Sequence, residues 1–494
     1  MALQPKGDRA SVGPGEPVTT PHPGGRVVHP MADLLESLRN AIGADNVVAG
    51  DAVHSDYTHD ETLGAVPQAP LALVRPSSTA EVSALLTLAQ RFGVPVVARG
   101  SGTGLSGAAV PLRHGLLVSF DRMCHIRQID TANQVAVVEP GVTLEQLNRA
   151  LAPHGLVYPV SPGETSGSLG GNVGTNAGGM RAVRYGVTRH HVLGLEVVLA
   201  DGTVMRTGGK YVKCSTGYDL TQLLIGSEGT LALTTEVTVK VQPKMTDSAT
   251  VLVPFASLND VAAAVPRIVA SGIEPSILEY ADALVLGNIT RSAGLDLGVP
   301  DAVQHEAQAY LIVVLEQISS ERLHQDLERL GALLGTLGAI DVYVLPDRAG
   351  ADLIEARERL FFVTKALGAD DIIDAVIPRA AIPDYLAKVA ELATRYGALV
   401  SGCGHVGDGN VHLGVFLPDA DQRRALEREI FATAVEAGGA ISGEHGIGTA
   451  KLPYFLEFAD PKALELMRAI KRVFDPTDTL GPGRLLGEGP GVSP

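Results

Sequence analysis

The sequence predicts an α+β protein in two parts, a first unit of mixed sheet and helix and a second α/β unit whose sheet contains antiparallel strands. Three observations carry this. Short apolar runs alternate with helical periodicity from about residue 70, residues 193–241 are dense in strand patterns, and the composition shifts after residue 247. At 494 residues and 45% hydrophobic content, the chain is long enough to bury two or three cores.

The elements follow in order. Residues 1–30 are rich in Pro and Gly and lack both an apolar signal core and an arginine-studded amphipathic pattern, so a disordered tail is expected there. In 31–43 the apolar positions 34, 35, 38 and 42 share one helical face, which Gly43 ends. LALV at 71–74, VPVVA at 94–98, LLVSF at 116–120 and VAVVEPG at 135–141 read as strands that alternate with helices at 78–92 and 143–153. GLEVVLADGTVMRTG has an Asp-Gly turn between two strands, and GTLALTTEVTVKVQP alternates apolar and polar residues, which indicates antiparallel sheet. Residues 243–247 form the junction. Beyond it TVLVPF, AYLIVVLE and IDVYVLP alternate with helices at 258–271, 320–337 and 383–396, and the chain ends in a helix closed by Asp475-Pro476. The expected division is a tail at 1–30, a first unit at 31–245, a second at 246–440, and a C-terminal segment at 441–494 that packs back on the first.

A net charge of −16 argues against nucleic acid as a partner and against electrostatic docking on an anionic membrane. No run of about 18 apolar residues occurs. Three cysteines, Cys124, Cys214 and Cys403, form no CxxC pair and cannot staple a chain this long, which fits a reducing compartment. A cytoplasmic protein is expected, with peripheral membrane association and a homodimer both left open.

HVGDGNVH at 405–412 and SGEHGIG at 442–448 carry the most specific chemistry. His405, His412 and Glu444 offer two imidazole nitrogens and a carboxylate, the ligand mix of a catalytic divalent-metal site with an open position; zinc suits it first, manganese or iron second. The adjacent His445 is then free to move a proton. In an extended strand Glu444 and His445 would point to opposite faces, so Gly443 and Gly446 must let them converge.

Two glycine-rich loops precede the sheet-rich segments. Gly102, Gly104 and Gly107 match GxGxxG, but Pro111 and the strand at 116 leave no room for the crossover helix of a dinucleotide fold. What remains is a loop of exposed N–H groups with the Ser101 and Thr103 hydroxyls, suited to wrapping a phosphate. A second loop at 161–179 is equally rich in glycine and hydroxyls, and a third small-residue turn lies at 226–232. A shared large cofactor explains all three.

The order PVVARGSGTGLSG, PGETSGSLGGNVGTNAGG, GSEGTLALTTEVTVKV resembles the flavoprotein family of vanillyl-alcohol oxidase and p-cresol methylhydroxylase over roughly 65–245. The resemblance implies a two-subdomain FAD-binding domain followed by a substrate, or cap, domain. Arg99, Gly100, Ser101, Gly102, Thr103, Gly104 and Leu105 would wrap the pyrophosphate. Pro162, Gly163, Thr165, Ser168, Gly171, Thr175, Asn176, Gly178, Glu228, Gly229 and Leu233 would hold the rest. The first loop has no His, so non-covalent FAD is expected. HVGDGNVH, SGEHGIG and FDPTDTLGPGR are similar to the D-2-hydroxyacid dehydrogenase branch: D-lactate dehydrogenases, the glycolate oxidase flavoprotein subunit and D-2-hydroxyglutarate dehydrogenase. Gly481 stands where that branch usually has Asn.

By this resemblance His405, His412 and Glu444 match the metal ligands and His445 the base, with Asn410 and His445 at the substrate. Arg357, rather than Arg359, would hold the substrate carboxylate. Phe361 and Ile372 stand where the hydroxyglutarate branch has Thr and Lys, so a distal carboxylate loses its partners and a monocarboxylic D-2-hydroxy acid such as D-lactate is favoured. The expected partners are that acid and an electron acceptor (quinone, cytochrome or electron-transfer flavoprotein). Rival readings are a glycolate oxidase subunit, a D-2-hydroxyglutarate dehydrogenase, a flavin alditol or sugar oxidase, and a flavin-free metal hydrolase.

Overall fold

The computed structural model describes residues 30–487. The tail expected at 1–30 therefore lies, except for Pro30, outside the described residues, as do 488–494.

The first sheet joins Val47–Ala49 (β1), Ala72–Val74 (β2), Val96–Arg99 (β3) and Leu116–Ser119 (β4) in the order β1-β2-β4-β3. β2 and β3 run parallel to β4, and β1 is antiparallel to β2. The strand expected at 94–98 starts only at Val96, because Pro95 has no N–H to give the ladder. Its flanking helix, Thr79–Phe92, begins under a Ser78 cap that accepts the Glu81 N–H and ends at Gly93 in the left-handed conformation. Between β3 and β4 the chain forms no helix, so the GxGxxG match is an irregular loop.

A second sheet holds Ile126–Asp130 (β5) and Val135–Val138 (β6). After the two-residue strand Leu156–Val157 (β7), it takes in Val192–Val198 (β8), Val204–Gly208 (β9) and Leu233–Lys240 (β10), in the antiparallel order β5-β6-β10-β8-β9. β10 buries every second residue, Leu233, Thr235, Val237 and Val239, as the alternating sequence predicts. Gln242–Pro243 (β11) closes on β7.

The third sheet begins immediately after. Asp247–Phe255 (β12), Ile277–Asp282 (β13), Ala309–Gln317 (β14), Tyr343–Val344 (β15), Asp371–Val376 (β16), Leu399–Gly404 (β17) and Asn410–Phe416 (β18) form the order β15-β12-β14-β13-β17-β18-β16. Every pairing in it is antiparallel. IDVYVLP contributes only two residues, as an edge strand paired to Val251 and Leu252.

Helices cover both faces of this sheet, which is why its central strands read as unbroken apolar runs. Val251, Val253, Leu278, Val411, Leu413 and Ile373 pack under the helices Leu258–Ala270, Ile382–Tyr396 and Ala420–Glu436. The opposite face, with Leu252, Ala281, Ile312 and Cys403, meets Ala283–Ala293, Asp347–Glu358 and Leu360–Ala366. On this second face the alternation of side chains also brings Glu279, Ile372, Asp374 and His412 to one side, toward the first unit.

The C-terminal residues return to the first unit. Val96 donates to the Thr479 carbonyl and accepts from Gly481, and the Arg484 guanidinium donates to the carbonyls of Ala108 and Val110. Among the described residues no helix is long and apolar enough to cross a membrane.

Candidate active site

Two adjoining cavities share the walls Leu105, Pro162, Glu444 and His445. The larger is lined by the glycine loops. Of the residues expected at the cofactor, residues 100–105, Pro162, Ser168, Gly171, Thr175, Gly178, Glu228, Gly229 and Leu233 line it. Arg99, Gly163, Thr165 and Asn176 do not. The Arg99 guanidinium turns away to the carbonyls of Asp56 and His59, at 2.7 and 2.5 Å. Asn176 uses its side-chain oxygen to accept the Arg189 N–H, and Gly163 faces the smaller cavity. Glu228 lines the cofactor cavity, yet its carboxylate accepts the N–H groups of Ile447 and Gly448 at 2.7 and 2.8 Å, tying the SGEHGIG loop to the cradle. The approach is close: a Cβ on Gly178 would lie 2.7 Å from Glu444 Oε2.

The smaller cavity, about 120 Å³, is lined by Arg357, Glu358, Phe361, Thr364, Ile372, Cys403, His405, His412, Glu444 and His445 among others. Antiparallel register builds its floor. Asp374 pairs with His412, Cys403 pairs with His412 across the other edge of β18, and Tyr280 pairs with Gly404, so β16, β18, β17 and β13 present their polar residues together.

His405, His412 and Glu444 converge. Glu444 Oε1 lies 3.2 Å from His405 Nε2 and 3.4 Å from His412 Nε2. Metal–ligand bonds of about 2.0–2.1 Å at tetrahedral angles separate neighbouring ligand atoms by about 3.3–3.4 Å, so this donor set has the size of a divalent-cation site. Burial pushes the Glu444 carboxyl up, but His405 and His412 outweigh it and hold it well below the ordinary carboxylate range. His405 goes the other way: burial disfavours its charge, and Glu279 and Glu444 together raise it well above the usual imidazole value. The ionised Glu444 carboxylate thus supplies the negative charge of a site suited to a cation.

His445 stacks on His412 with ring centroids 5.1 Å apart. Burial lowers its pKa to about 4, which leaves a neutral ring able to accept a proton. Its Nδ1 has no hydrogen-bond partner and lies 3.9 Å from Asp374 Oδ2. Arg357 is buried, with Nη2 2.8 Å from Glu279 Oε2 and with Nε unpaired, whereas Arg359 is exposed and pairs with Glu355. Asn410, expected at the substrate, instead donates to Asp374 Oδ1 at 2.7 Å and to the Ala375 carbonyl at 3.0 Å, behind the cavity wall. Cys403 lines the cavity as a protonated thiol, pushed up to about 11 chiefly by burial.

Several polar residues in or behind this cavity were not singled out in the sequence. Glu279 accepts from His405 Nδ1 at 2.5 Å, and Asp374 gathers the backbone of the SGEHGIG loop. Glu358 and Thr364 line the wall. For Glu279 and Asp374 a signal existed: each is an acid flanked by apolar residues inside a strand, ILEYA and IIDAV, where an unpaired charge is too costly to keep.

Comparison with known proteins agrees over most of the chain. Residues 70–208 match the FAD binding domain family and residues 244–485 match the FAD linked oxidases, C-terminal domain. The chain is 53% identical to an uncharacterized FAD-linked oxidoreductase of Mycobacterium tuberculosis, over 93% of this chain and 100% of that one. It is 38% identical to a D-lactate dehydrogenase of Archaeoglobus fulgidus, over 87% and 95% of the two chains. It is 36% identical to the glycolate oxidase subunit GlcD of Bacillus subtilis, over 92% and 97%. Among solved structures, p-cresol methylhydroxylase with substrate bound superposes with a TM-score of 0.77 at 19% identity, over 93% of this chain and 97% of that one, a likeness of fold.

Proposed function

The chain belongs to the FAD-linked oxidases, of the D-lactate dehydrogenase and glycolate oxidase GlcD type, and from that premise we propose that it oxidises a monocarboxylic D-2-hydroxy acid, D-lactate or a close homologue, to the 2-oxo acid. The observation that carries the reading is the meeting of the two cavities at Glu444 and His445, where Glu444 completes a metal-sized donor set with His405 and His412.

Bound FAD supplies the hydride acceptor. A divalent cation on His405, His412 and Glu444, zinc before manganese or iron, supplies Lewis-acid polarisation of the substrate oxygens. The remaining tasks fall to the chain. Arg357, with an unpaired Nε, binds the substrate carboxylate and fixes which face of C2 looks toward the cofactor cavity. The negative charge of Asp374, 3.9 Å from His445 Nδ1, favours the proton on that nitrogen by electrostatics rather than by a hydrogen bond, so that Nε2 accepts the hydroxyl proton. Loss of that proton from oxygen and of hydride from C2 leaves the 2-oxo acid. Phe361 and Ile372 make the distal wall apolar, which suits a short alkyl group.

The test is anaerobic bleaching of the flavin absorbance by a panel of D- and L-2-hydroxy acids, glycolate included. Fast bleaching by D-lactate and slow bleaching by L-lactate and D-2-hydroxyglutarate is expected. Comparable bleaching by D-lactate and D-2-hydroxyglutarate would remove the substrate assignment.

A further inference from the structure

Glu279 is fully buried on β13, on the face of the sheet that looks into the substrate cavity, and its two oxygens serve two different halves of the site. Oε1 takes the hydrogen bond from His405 Nδ1 at 2.5 Å, and Oε2 lies 2.8 Å from Arg357 Nη2.

We propose that Glu279 is a positioning residue that couples the cation site to the substrate-carboxylate site. The inference rests on the reading above for the identity of the two sites. A ring nitrogen held by an anion fixes the tautomer and rotation of the imidazole, so the His405 proton stays on Nδ1 and the Nε2 lone pair aims at the cation position. The same anion neutralises the buried Arg357 by an ion-pair contact at Nη2 that is not in hydrogen-bond geometry, and Nη2 and Nε both keep a hydrogen to offer a carboxylate. Register explains why one side chain reaches both. Tyr280 pairs with Gly404, which brings the residue before it on β13 beneath His405, while Arg357 descends from the last turn of Asp347–Glu358 on the same face. Glu279 touches neither the substrate nor the cation, and acts only through these two neighbours.

Two sites held by one carboxylate must weaken together. A glutamine at this position has a single acceptor oxygen, so it can serve His405 or Arg357 but not both. The experiment compares wild type, Glu279→Gln and Glu279→Asp as zinc-reconstituted, FAD-loaded enzymes. Zinc retained per FAD is measured after dialysis against graded chelator, and the half-saturating D-lactate concentration is measured by anaerobic flavin reduction. For Glu279→Gln, zinc is expected to leave at a chelator concentration about 10–100-fold lower. The half-saturating D-lactate concentration should rise at least about tenfold, with FAD content close to wild type and a thermal midpoint lowered by the buried Arg357 left without its anion. Glu279→Asp keeps the charge but withdraws the oxygens by one methylene, so it should show both effects in smaller measure, and it carries the test if the glutamine variant does not fold. Zinc retention or half-saturation within about twofold of wild type in a folded variant overturns the proposal. A wild type that retains zinc and bleaches with D-lactate, beside unaltered variants, overturns the role of Glu279 alone. A wild type that neither retains zinc nor bleaches overturns the functional reading and this proposal with it.

Discussion

The backbone N–H of His445 donates to Asp374 Oδ2 at 2.8 Å, and that oxygen also accepts from Gly443 and Glu444 at 3.0 Å and from the Ser442 hydroxyl at 2.9 Å. One buried carboxylate on β16 therefore sets the turn that aims Glu444 and His445 at the same cavity. Burial would raise this carboxyl, yet the facing His445, Lys451 and His412 and the Asn410 amide hold it well below its usual range. Asp374→Asn would take from the buried Lys451 the carboxylate 3.8 Å from its Nζ and leave it only the charges of Asp371 and Glu228 among the acids that sense it. A loss of about 3–5 kcal/mol in urea unfolding is expected, together with a fall in flavin reduction of more than about tenfold. A variant as stable and as fast as wild type would show that the loop holds its shape without Asp374.

Separating the base from the ligands needs two readouts. His445→Ala removes only a proton acceptor, so flavin reduction should drop by about 10²–10⁴-fold while bound zinc stays at wild-type stoichiometry. His412→Ala should lose both zinc and reduction, because its Nε2 faces Glu444 at 3.4 Å. Near-normal reduction in His445→Ala would end its assignment as base.

Much of this site was legible because its signals are local. Glycine loops, HVGDGNVH and SGEHGIG each announce their chemistry within a dozen residues, and the alternation in GTLALTTEVTVKV gave β10 its buried face. What stayed hidden depends on register between distant strands. Glu279 and His405 are 126 residues apart, and Asp374 and His445 are 71 apart, so only the strand pairing could reveal that they touch. Asn410 shows the converse. Its place in the motif suggested contact with substrate, but β18 points its amide at Asp374 and the Ala375 carbonyl, where it supports the loop from behind. Local motifs name the donors, and sheet topology decides which of them face the cavity.

On the proposed reading, the distal wall sets substrate choice. Phe361 and Ile372 line it, and so does Glu358, whose carboxylate accepts the Ser161 hydroxyl at 3.3 Å. A second carboxylate entering this wall meets apolar surface and a like charge. Glu358→Gln removes the charge and keeps the shape. It should raise kcat/KM for D-2-hydroxyglutarate at least about tenfold while changing D-lactate by less than about threefold. No gain for the dicarboxylate would put the exclusion on Phe361 and Ile372 alone.

The helix that follows SGEHGIG carries a pH dependence of its own. Leu452–Phe458 docks through the Tyr454 hydroxyl, which donates to Glu427 Oε2 at 2.9 Å, while Glu427 Oε1 is buried without a hydrogen bond. Burial and the neighbouring Asp371 push the Glu427 carboxyl up to about 8, and Tyr454 and Arg423 only partly oppose them. In the unfolded chain the same group titrates near about 4.3. Between these values the folded state binds the extra proton, so stability falls as pH rises. The contribution is intact below about pH 4 and is fully lost above about pH 8. Glu427→Gln keeps an acceptor for Tyr454 and removes the titration. Its thermal midpoint should exceed that of wild type at pH 8 and converge toward it at pH 5, measured by flavin release on heating in buffers of matched ionic strength. Parallel midpoints across that range would mean that Asp371 and Glu427 share no proton in the folded protein.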